Sequence, residues 1–280
     1  MRVAVVSGKG GAGKTSVAVS LALIKGRGTV VDCDVEEPNV ALFLCPEIAG
    51  REVATKPVPR VDHSRCDFCK ACAEACQFNA LMVLPKTVVV FEKLCHACGT
   101  CSYVCPKDAI YEEERPIGEI EWGKRGAIGY LGGRLNVGEA MATPLISQLK
   151  RRIPEDDFVV LDAPPGVTCP TVETVDGADY VLIVAESSVF GLSDFKLVLE
   201  YVVETGIPFG VLENKVGFSE SPIVEEFCRS EGLPFLGGIP FSRDVASAYS
   251  EGVVLADASP DAREVLEGVL ESIEGASCER

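Results

Sequence analysis

Apolar residues in this chain fall into short continuous runs, most of them closed by acidic or amide residues, with helical periodicity in between. Val3-Ala4-Val5-Val6, Thr29-Val30-Val31, Phe158 to Leu161, Tyr180 to Ala185 and Phe209 to Leu212 are such runs. Runs apolar on both faces fit strands buried in a parallel sheet with helices on either side. Val17 to Leu23, Val137 to Arg152 and Ala262 to Ile273 carry helical spacing. The basic Lys150-Arg151-Arg152 stands at the end where the helix dipole favours cations. Pro116 to Gly133 alternates and is rich in glycine, which predicts a hairpin returning to the sheet. Strand alternating with helix predicts an α/β chain, doubly wound around a mostly parallel sheet.

The first strand runs into Gly8-Lys9-Gly10-Gly11-Ala12-Gly13-Lys14-Thr15-Ser16, and a helical pattern follows at once. Strand, glycine loop and helix together are the context that a phosphate-binding loop requires. Backbone N–H groups from Gly8 to Ser16 can close around phosphate oxygens, and the helix N-terminus adds its positive end. Lys14 is then the cation for the terminal phosphates, and the Thr15 hydroxyl is a ligand for Mg²⁺. Two further runs end in acids at the ligand crevice: Asp32 and Asp34 after the second strand, and Asp162 after Phe158 to Leu161. Asp162 is the candidate to hold Mg²⁺ through water.

Lys9 is a second cation beside the same polyphosphate. The run K-G-G-x-G-K-T that it creates resembles the deviant phosphate loop of the MinD/ParA ATPases, shared by the nitrogenase iron protein and the Mrp-type cluster carriers. The resemblance implies ATP with Mg²⁺, and nucleotide-driven pairing as a homodimer or with a paralogue. It implies a Lys9 that reaches the partner's ATP and an Asp34 that orients the attacking water. Asp32 either shares that role or braces the loop. Asp162-Ala163-Pro164-Pro165-Gly166 resembles the second switch of Mrp-type proteins, which implies a Gly166 N–H available to a γ-phosphate. Asn214-Lys215 sits where nucleoside P-loop proteins read the base. A guanine reader has Asp two positions after the lysine, and here Gly217 stands there, so adenine is favoured, with Asn214 as a contact. Gly238 to Phe241 resembles the segment that lies against adenine, which brings in Pro240.

Around Pro57-Val58-Pro59 the composition changes and an internal repeat begins. Cys66, Cys69, Cys72 and Cys76 recur as Cys95, Cys98, Cys101 and Cys105 at an offset of 29 residues. Each half resembles the C-x₂-C-x₂-C-x₃-C run of bacterial two-cluster ferredoxins, in which the fourth cysteine serves the other cluster. The resemblance implies two [4Fe-4S] clusters, one on Cys66, Cys69, Cys72 and Cys105, the other on Cys95, Cys98, Cys101 and Cys76. The proline of that run follows Cys105, but Gln77 follows Cys76. A pair of zinc sites is the rival reading, although zinc favours two separated C-x-x-C knuckles. Phe68, Phe78, Leu81, Val83, Val88, Val90, Tyr103 and Ile110 are expected to pack around the centres. Cys33, Cys45, Cys228 and Cys278 have no ligand spacing. Cys169 either packs as a small buried residue behind the second switch or contributes to a transient metal site on a dimer axis.

These motifs divide the 280 residues into an ATPase domain of 1–57 and 116–280 and a small α+β ferredoxin-like insert of 58–115. A net charge of −16 weighs against nucleic acid and anionic lipid as partners. The C-terminal helix carries Glu264, Glu267, Glu271 and Glu274, where MinD has a basic membrane helix. No apolar run approaches a membrane span, no signal pattern precedes the first strand, and cysteines spaced for metal imply a reducing cytoplasm. The expected function is ATP-gated electron delivery to, or maturation of, a metallocofactor protein. Its partners would be an electron donor and a dinitrogenase-cofactor-like protein. A cluster carrier or scaffold and a redox-sensing positioning ATPase are the alternatives.

Overall fold

The buried runs of the sequence become the middle of one sheet. The structure is a computed structural model that describes residues 1–155, 158–217 and 223–278, the side chains of Ser277 and Cys278 excepted. Its strands are β1 (Arg2–Val6), β2 (Gly28–Asp32), β3 (Glu47–Val61), β4 (Leu81–Leu84), β5 (Thr87–Val90), β6 (Ile110–Arg125), β7 (Ile128–Leu135), β8 (Val159–Asp162), β9 (Tyr180–Glu186), β10 (Phe209–Val216) and β11 (Phe235–Pro240). The helices are α1 (Lys14–Lys25), α2 (Val40–Leu44), α3 (Ala71–Ala75), α4 (Thr100–Tyr103), α5 (Thr143–Arg151), α6 (Cys169–Val175), α7 (Val189–Thr205), α8 (Ile223–Glu231), α9 (Arg243–Ser250), α10 (Leu255–Ala258) and α11 (Pro260–Cys278). The nine-stranded sheet has the order β11-β10-β9-β1-β8-β2-β7-β6-β3, and β4 pairs with β5 separately.

The chain forms two units. The first comprises Met1–Glu52, Ile120–Arg134 and Ile146–Arg280. In it β1 lies between β8 and β9, parallel to both, and β2 extends the parallel set beyond β8. The register Val5↔Asp162 and Asp32↔Asp162 brings the acid-bearing carboxyl ends of these strands level. From β1 the chain leads to β2 on one side, and β9, β10 and β11 follow on the other. That reversal opens the crevice in which α/β sheets bind ligands. Leu21 and Ala22 of α1 share a core with Leu266, Val269 and Ile273 of α11, all fully buried. Helix α1 ends on Gly26, whose left-handed backbone lets its N–H reach the Ala22 carbonyl. The fold is α/β with a large, mostly parallel sheet, as the pattern predicts. No described helix is long and apolar enough to cross a membrane.

The second unit comprises Val53–Glu119 and Leu135–Leu145. Its centre is the antiparallel hairpin β4–β5, registered Leu81↔Val90 to Leu84↔Thr87. Val58, Ala80, Leu81 and Val88 pack there with Cys72, Cys95 and Cys101.

Helix α5 starts at Thr143, not at Val137 as the periodicity predicts. Gly138 takes a left-handed backbone and Val137 is fully exposed, so the first apolar positions of the pattern face no core. Pro144, in the first helical turn, suits a start there. The C-terminal helix is longer than the predicted Ala262 to Ile273 and spans Pro260–Cys278. Pro57 and Pro59 lie inside β3, which is the last strand in the sheet order. Proline is tolerated there because an edge strand needs ladder donors on one side only.

Candidate functional site

The loop between β1 and α1 carries its shape in its glycines. Gly11 and Gly13 have positive φ, 78° and 98°. A Cβ on Gly13 would stand 2.2 Å from Asn214 Nδ2, and one on Gly8 would stand 2.2 Å from the Asp194 carbonyl oxygen. The loop therefore needs glycine both for backbone conformation and for close approach. Lys14 is buried at the start of α1. Desolvation pulls its pKa down, while Asp162 and Asp34 act in the opposite direction.

Three carboxylates gather at the ends of β2 and β8. Thr15 Oγ1 donates to Asp162 Oδ2 at 2.6 Å. Asp162 Oδ1 is buried with no hydrogen-bond partner. Burial pushes the Asp162 carboxyl up to about 6, against the pull of Thr15 and Lys14. A hydroxyl beside an unsatisfied buried carboxylate oxygen is the donor set that Mg²⁺ takes from a P-loop protein. Asp32 is fully buried and accepts from the N–H groups of Asp34, Asn39 and Val40. Those bonds shape the loop and satisfy the start of α2, so bracing is its visible role. Burial and the Asp162 charge hold the Asp32 carboxyl well above its ordinary range. Asp34 is half-buried, and burial raises it too, against the Lys14 charge.

Lys9 has a partner within its own chain. Its Nζ lies 2.6 Å from Glu186 Oε1 at the end of β9. The other oxygen, Glu186 Oε2, lies 2.8 Å from Lys215 Nζ, which also donates to the Gly11 carbonyl at 2.7 Å. Burial alone would raise the Glu186 carboxyl, but hydrogen bonds from Lys215, Lys9 and Ser188 hold it at about 2. Lys215 reaches the loop from a left-handed backbone at φ 61°. The sequence places Lys215 beside Asn214 and by itself gives neither Lys215 nor Glu186 a part in shaping the loop. The signal was available, because Glu186 is an acid closing a buried run, as Asp162 is.

The Gly166 N–H, expected to serve a γ-phosphate, donates here to the Ser7 carbonyl at 2.9 Å. A backbone donor at that depth takes an acceptor, and Ser7 supplies it. Asn214 likewise gives its amide to the loop: Nδ2 donates to the Ala12 carbonyl at 2.8 Å, and Oδ1 accepts from the Lys215 N–H. Asn214 and Pro240 both line a cavity of about 340 Å³ beside the loop, with Gly11, Gly13, Ser16 and the rings of Phe241 and Tyr249. Such a slot, apolar with a few polar groups at one lip, accepts a planar base. Cys169 is exposed at the first position of α6, which corrects its reading as a small buried residue. Cys45 is exposed, Cys33 and Cys228 are buried, and the Cys278 side chain lies outside the described residues.

The second unit displays the cysteine repeat as a repeat of backbone geometry. Positive φ at Phe68, Lys70 and Asn79 recurs at Ala97, Gly99 and Asp108, each 29 residues on. Phe68 N–H and Ala97 N–H donate to Cys66 Sγ and Cys95 Sγ, both at 3.4 Å. Ala80 N–H and Ala109 N–H donate to Cys76 Sγ and Cys105 Sγ, both at 3.3 Å. Cys66, Cys69, Cys72 and Cys105 line one small cavity. Cys95 and Cys101 are buried near one another, and Cys98 is exposed. Among the described residues no three His, Cys, Asp or Glu side chains are gathered as ligands of a single ion. The repeat is not symmetric in its coverings. Phe78 stacks on His96 with ring centroids 3.5 Å apart, whereas Lys107 stands 3.7 Å from Asp67 at the equivalent positions.

A glycine loop at the switch point of a parallel sheet, with a buried lysine, a threonine and strand-end carboxylates, defines a P-loop nucleotide-binding protein. The chain belongs to the CobQ/CobB/MinD/ParA nucleotide binding domain family, whose model matches residues 3–255. It is thus an ATP-binding ATPase of the MinD/ParA type. An uncharacterized protein of Methanocaldococcus jannaschii is 28% identical over 261 residues, covering 90% of each chain. The cytosolic Fe-S cluster assembly factor NBP35 of Eremothecium gossypii is 29% identical over 126 residues, 38% of this chain and 38% of that one. The septum site-determining protein MinD of Pyrococcus horikoshii, solved with Mg-ADP, superposes with a TM-score of 0.60 at 18% identity, over 97% of this chain and 95% of that one. At that identity the likeness concerns the fold.

Proposed function

We propose that this chain carries two [4Fe-4S] clusters in an insert of residues 58–115, within an ATPase domain of 1–57 and 116–280. ATP-dependent dimerisation then gates electron delivery to, or maturation of, a metallocofactor protein. The observation that carries the reading is the doubled cysteine unit, with its paired N–H···S bonds, inside a P-loop ATPase. Donors aimed at sulfur favour thiolates, and a cavity lined by Cys66, Cys69, Cys72 and Cys105 suits a group that takes its four thiolates at separate corners. Cys95, Cys98, Cys101 and Cys76 form the second set. Bound there, the clusters would supply one-electron storage.

The rest is the work of the chain's own groups. Lys14 and the N–H groups from Gly8 to Ser16 bind the ATP phosphates, and Thr15 and Asp162 hold Mg²⁺. Asp34 orients the attacking water. The base enters the slot beside Asn214 and Pro240. A γ-phosphate competes with the Ser7 carbonyl for the Gly166 N–H, so the second switch reports which nucleotide is bound. Lys9 leaves Glu186 to reach the nucleotide of a partner, either a second copy or a paralogue. An electron donor and a dinitrogenase-cofactor-like client complete the cycle, with nucleic acid and membrane disfavoured by the charge.

The partial likeness to an Fe-S cluster assembly factor favours a second reading, a cluster carrier or scaffold. Full ligation by eight cysteines speaks for retained clusters. Anaerobic purification with metal and sulfide analysis tests both. About eight iron and eight sulfide per chain, kept after incubation with an apo-acceptor, is the expected result. Stoichiometric zinc overturns the cluster reading, and loss of iron to the acceptor favours the carrier.

A further inference from the structure

A buried ion pair stands on one cysteine set and, among the described residues, has no buried counterpart on the other. Lys56 is 1% exposed, and its Nζ donates to the Cys95 carbonyl at 3.0 Å. Its counter-ion is Glu139 Oε1 at 3.3 Å, with both side chains 2% exposed. Glu139 is also held by Arg115, which lies 3.5 Å from Glu92. Cation and anion thus alternate away from Cys95, and the charge that touches the cysteine backbone is the ammonium. At the equivalent Cys66, the Asp62 carbonyl accepts from its N–H, and the Phe68 N–H donates to its sulfur. The lysines that line the first set's cavity, Lys70 and Lys107, are exposed, Lys107 facing Asp67, so water screens them. Among the described residues no buried cation takes at Cys66 the place that Lys56 takes at Cys95.

We infer that Lys56 is a positioning residue that raises the reduction potential of the second centre above that of the first. The inference rests on the two-cluster reading. Reduction adds one negative charge to a centre. Burial of Cys95 resists that charge, and a fixed ammonium in the same low-dielectric surroundings favours it. Two sets that are near-copies in backbone and donors therefore differ in field. With both clusters bound, an electron from a low-potential one-electron reductant would rest on the Cys95, Cys98, Cys101 and Cys76 side, one electron leaving the first set's cluster as one enters the second's, with no bond or proton exchanged.

The test is an EPR-monitored dithionite titration of the anaerobically purified full chain. The native protein should show two one-electron steps. Lys56→Gln should lower the upper step by at least tenfold in its reduction equilibrium, about 59 mV for one electron, and leave the lower step in place. Glu139→Gln removes the anion and keeps the cation, so it should raise the same step. Lys56→Arg should restore it. A purely structural role would not move the two glutamine variants in opposite directions. Unchanged steps in both variants at full iron content, or shifts of one sign, overturn the inference. If Lys56→Gln fails to retain iron, Glu139→Gln decides alone, and an unmoved upper step overturns it. Native protein without iron removes the two-cluster reading itself, and this inference with it.

Discussion

Glu186 is the residue on which Lys9 of the loop and Lys215 of β10 converge. Its pairing with Lys9 is a contact within one chain, so action across an interface requires that contact to open. Lys9→Ala is expected to bind ATP while neither dimerising nor hydrolysing it, as read by equilibrium binding, sizing with an ATP analogue and phosphate release. Full activity as a monomer would remove the trans role. The carboxylates set a pH dependence. Asp32, Asp34 and Asp162 all titrate above their ordinary range, so the folded chain holds protons that the unfolded chain releases. Each contribution to stability is full below the ordinary carboxylate range and is lost as pH rises through the raised folded-state value, which for Asp162 is about 6. Mg²⁺ and nucleotide neutralise the same charges. The rise in Tm on adding Mg-nucleotide should therefore grow between about pH 5 and about pH 8, and a constant rise in calorimetry would contradict it. Motif residues such as Lys14 and Asp162 were legible because the chemistry fixes their spacing. Glu186 closes a buried run as Asp162 does, but its pairing with Lys9 and Lys215 was not legible, because contacts between adjacent strand ends leave no local trace.

At the scale of elements, the strands buried on both faces were the readable part. Their apolar runs need no partner to be recognised, and β1, β2, β8, β9 and β10 lie where the runs lie. The start of α5 was not readable, since Val137 fits the period but has no core to face. Strand β3 was hidden for the opposite reason: its apolar residues are broken up by charged residues and two prolines, and it is only partly buried along much of its length. What holds the nucleotide loop is the seating of α1. Leu21, fully buried between the sheet and α11, should cost about 2–5 kcal/mol on truncation to alanine. The cap of α7, where Ser188 Oγ accepts from the Gly191 N–H at 3.0 Å, should cost about 1 kcal/mol in Ser188→Ala. Denaturant unfolding of the two variants would rank them. A smaller loss at Leu21 than at Ser188 would mean that α1 does not depend on this core.

For the molecule as a whole, the chain passes between its two units within β3, β6, β7 and α5. Each passage lies inside a regular element, and on the two-cluster reading proposed above nucleotide state and cluster state are expected to feel one another. A coupling of about 1–3 kcal/mol should appear as a shift in midpoint potential or client affinity between ADP and a non-hydrolysable ATP analogue. Indifference of both to the nucleotide would mean two modules joined for co-localisation only. The two prolines of β3 bear on a different property. Pro57 and Pro59 are two residues apart, so their missing donors fall on the same side of the outermost strand. Pro59 is itself buried, so at this stretch the outermost strand offers an incoming strand neither donors nor an open approach. Edge-on addition of a second molecule's strand is disfavoured there, which removes one route to ordered aggregation.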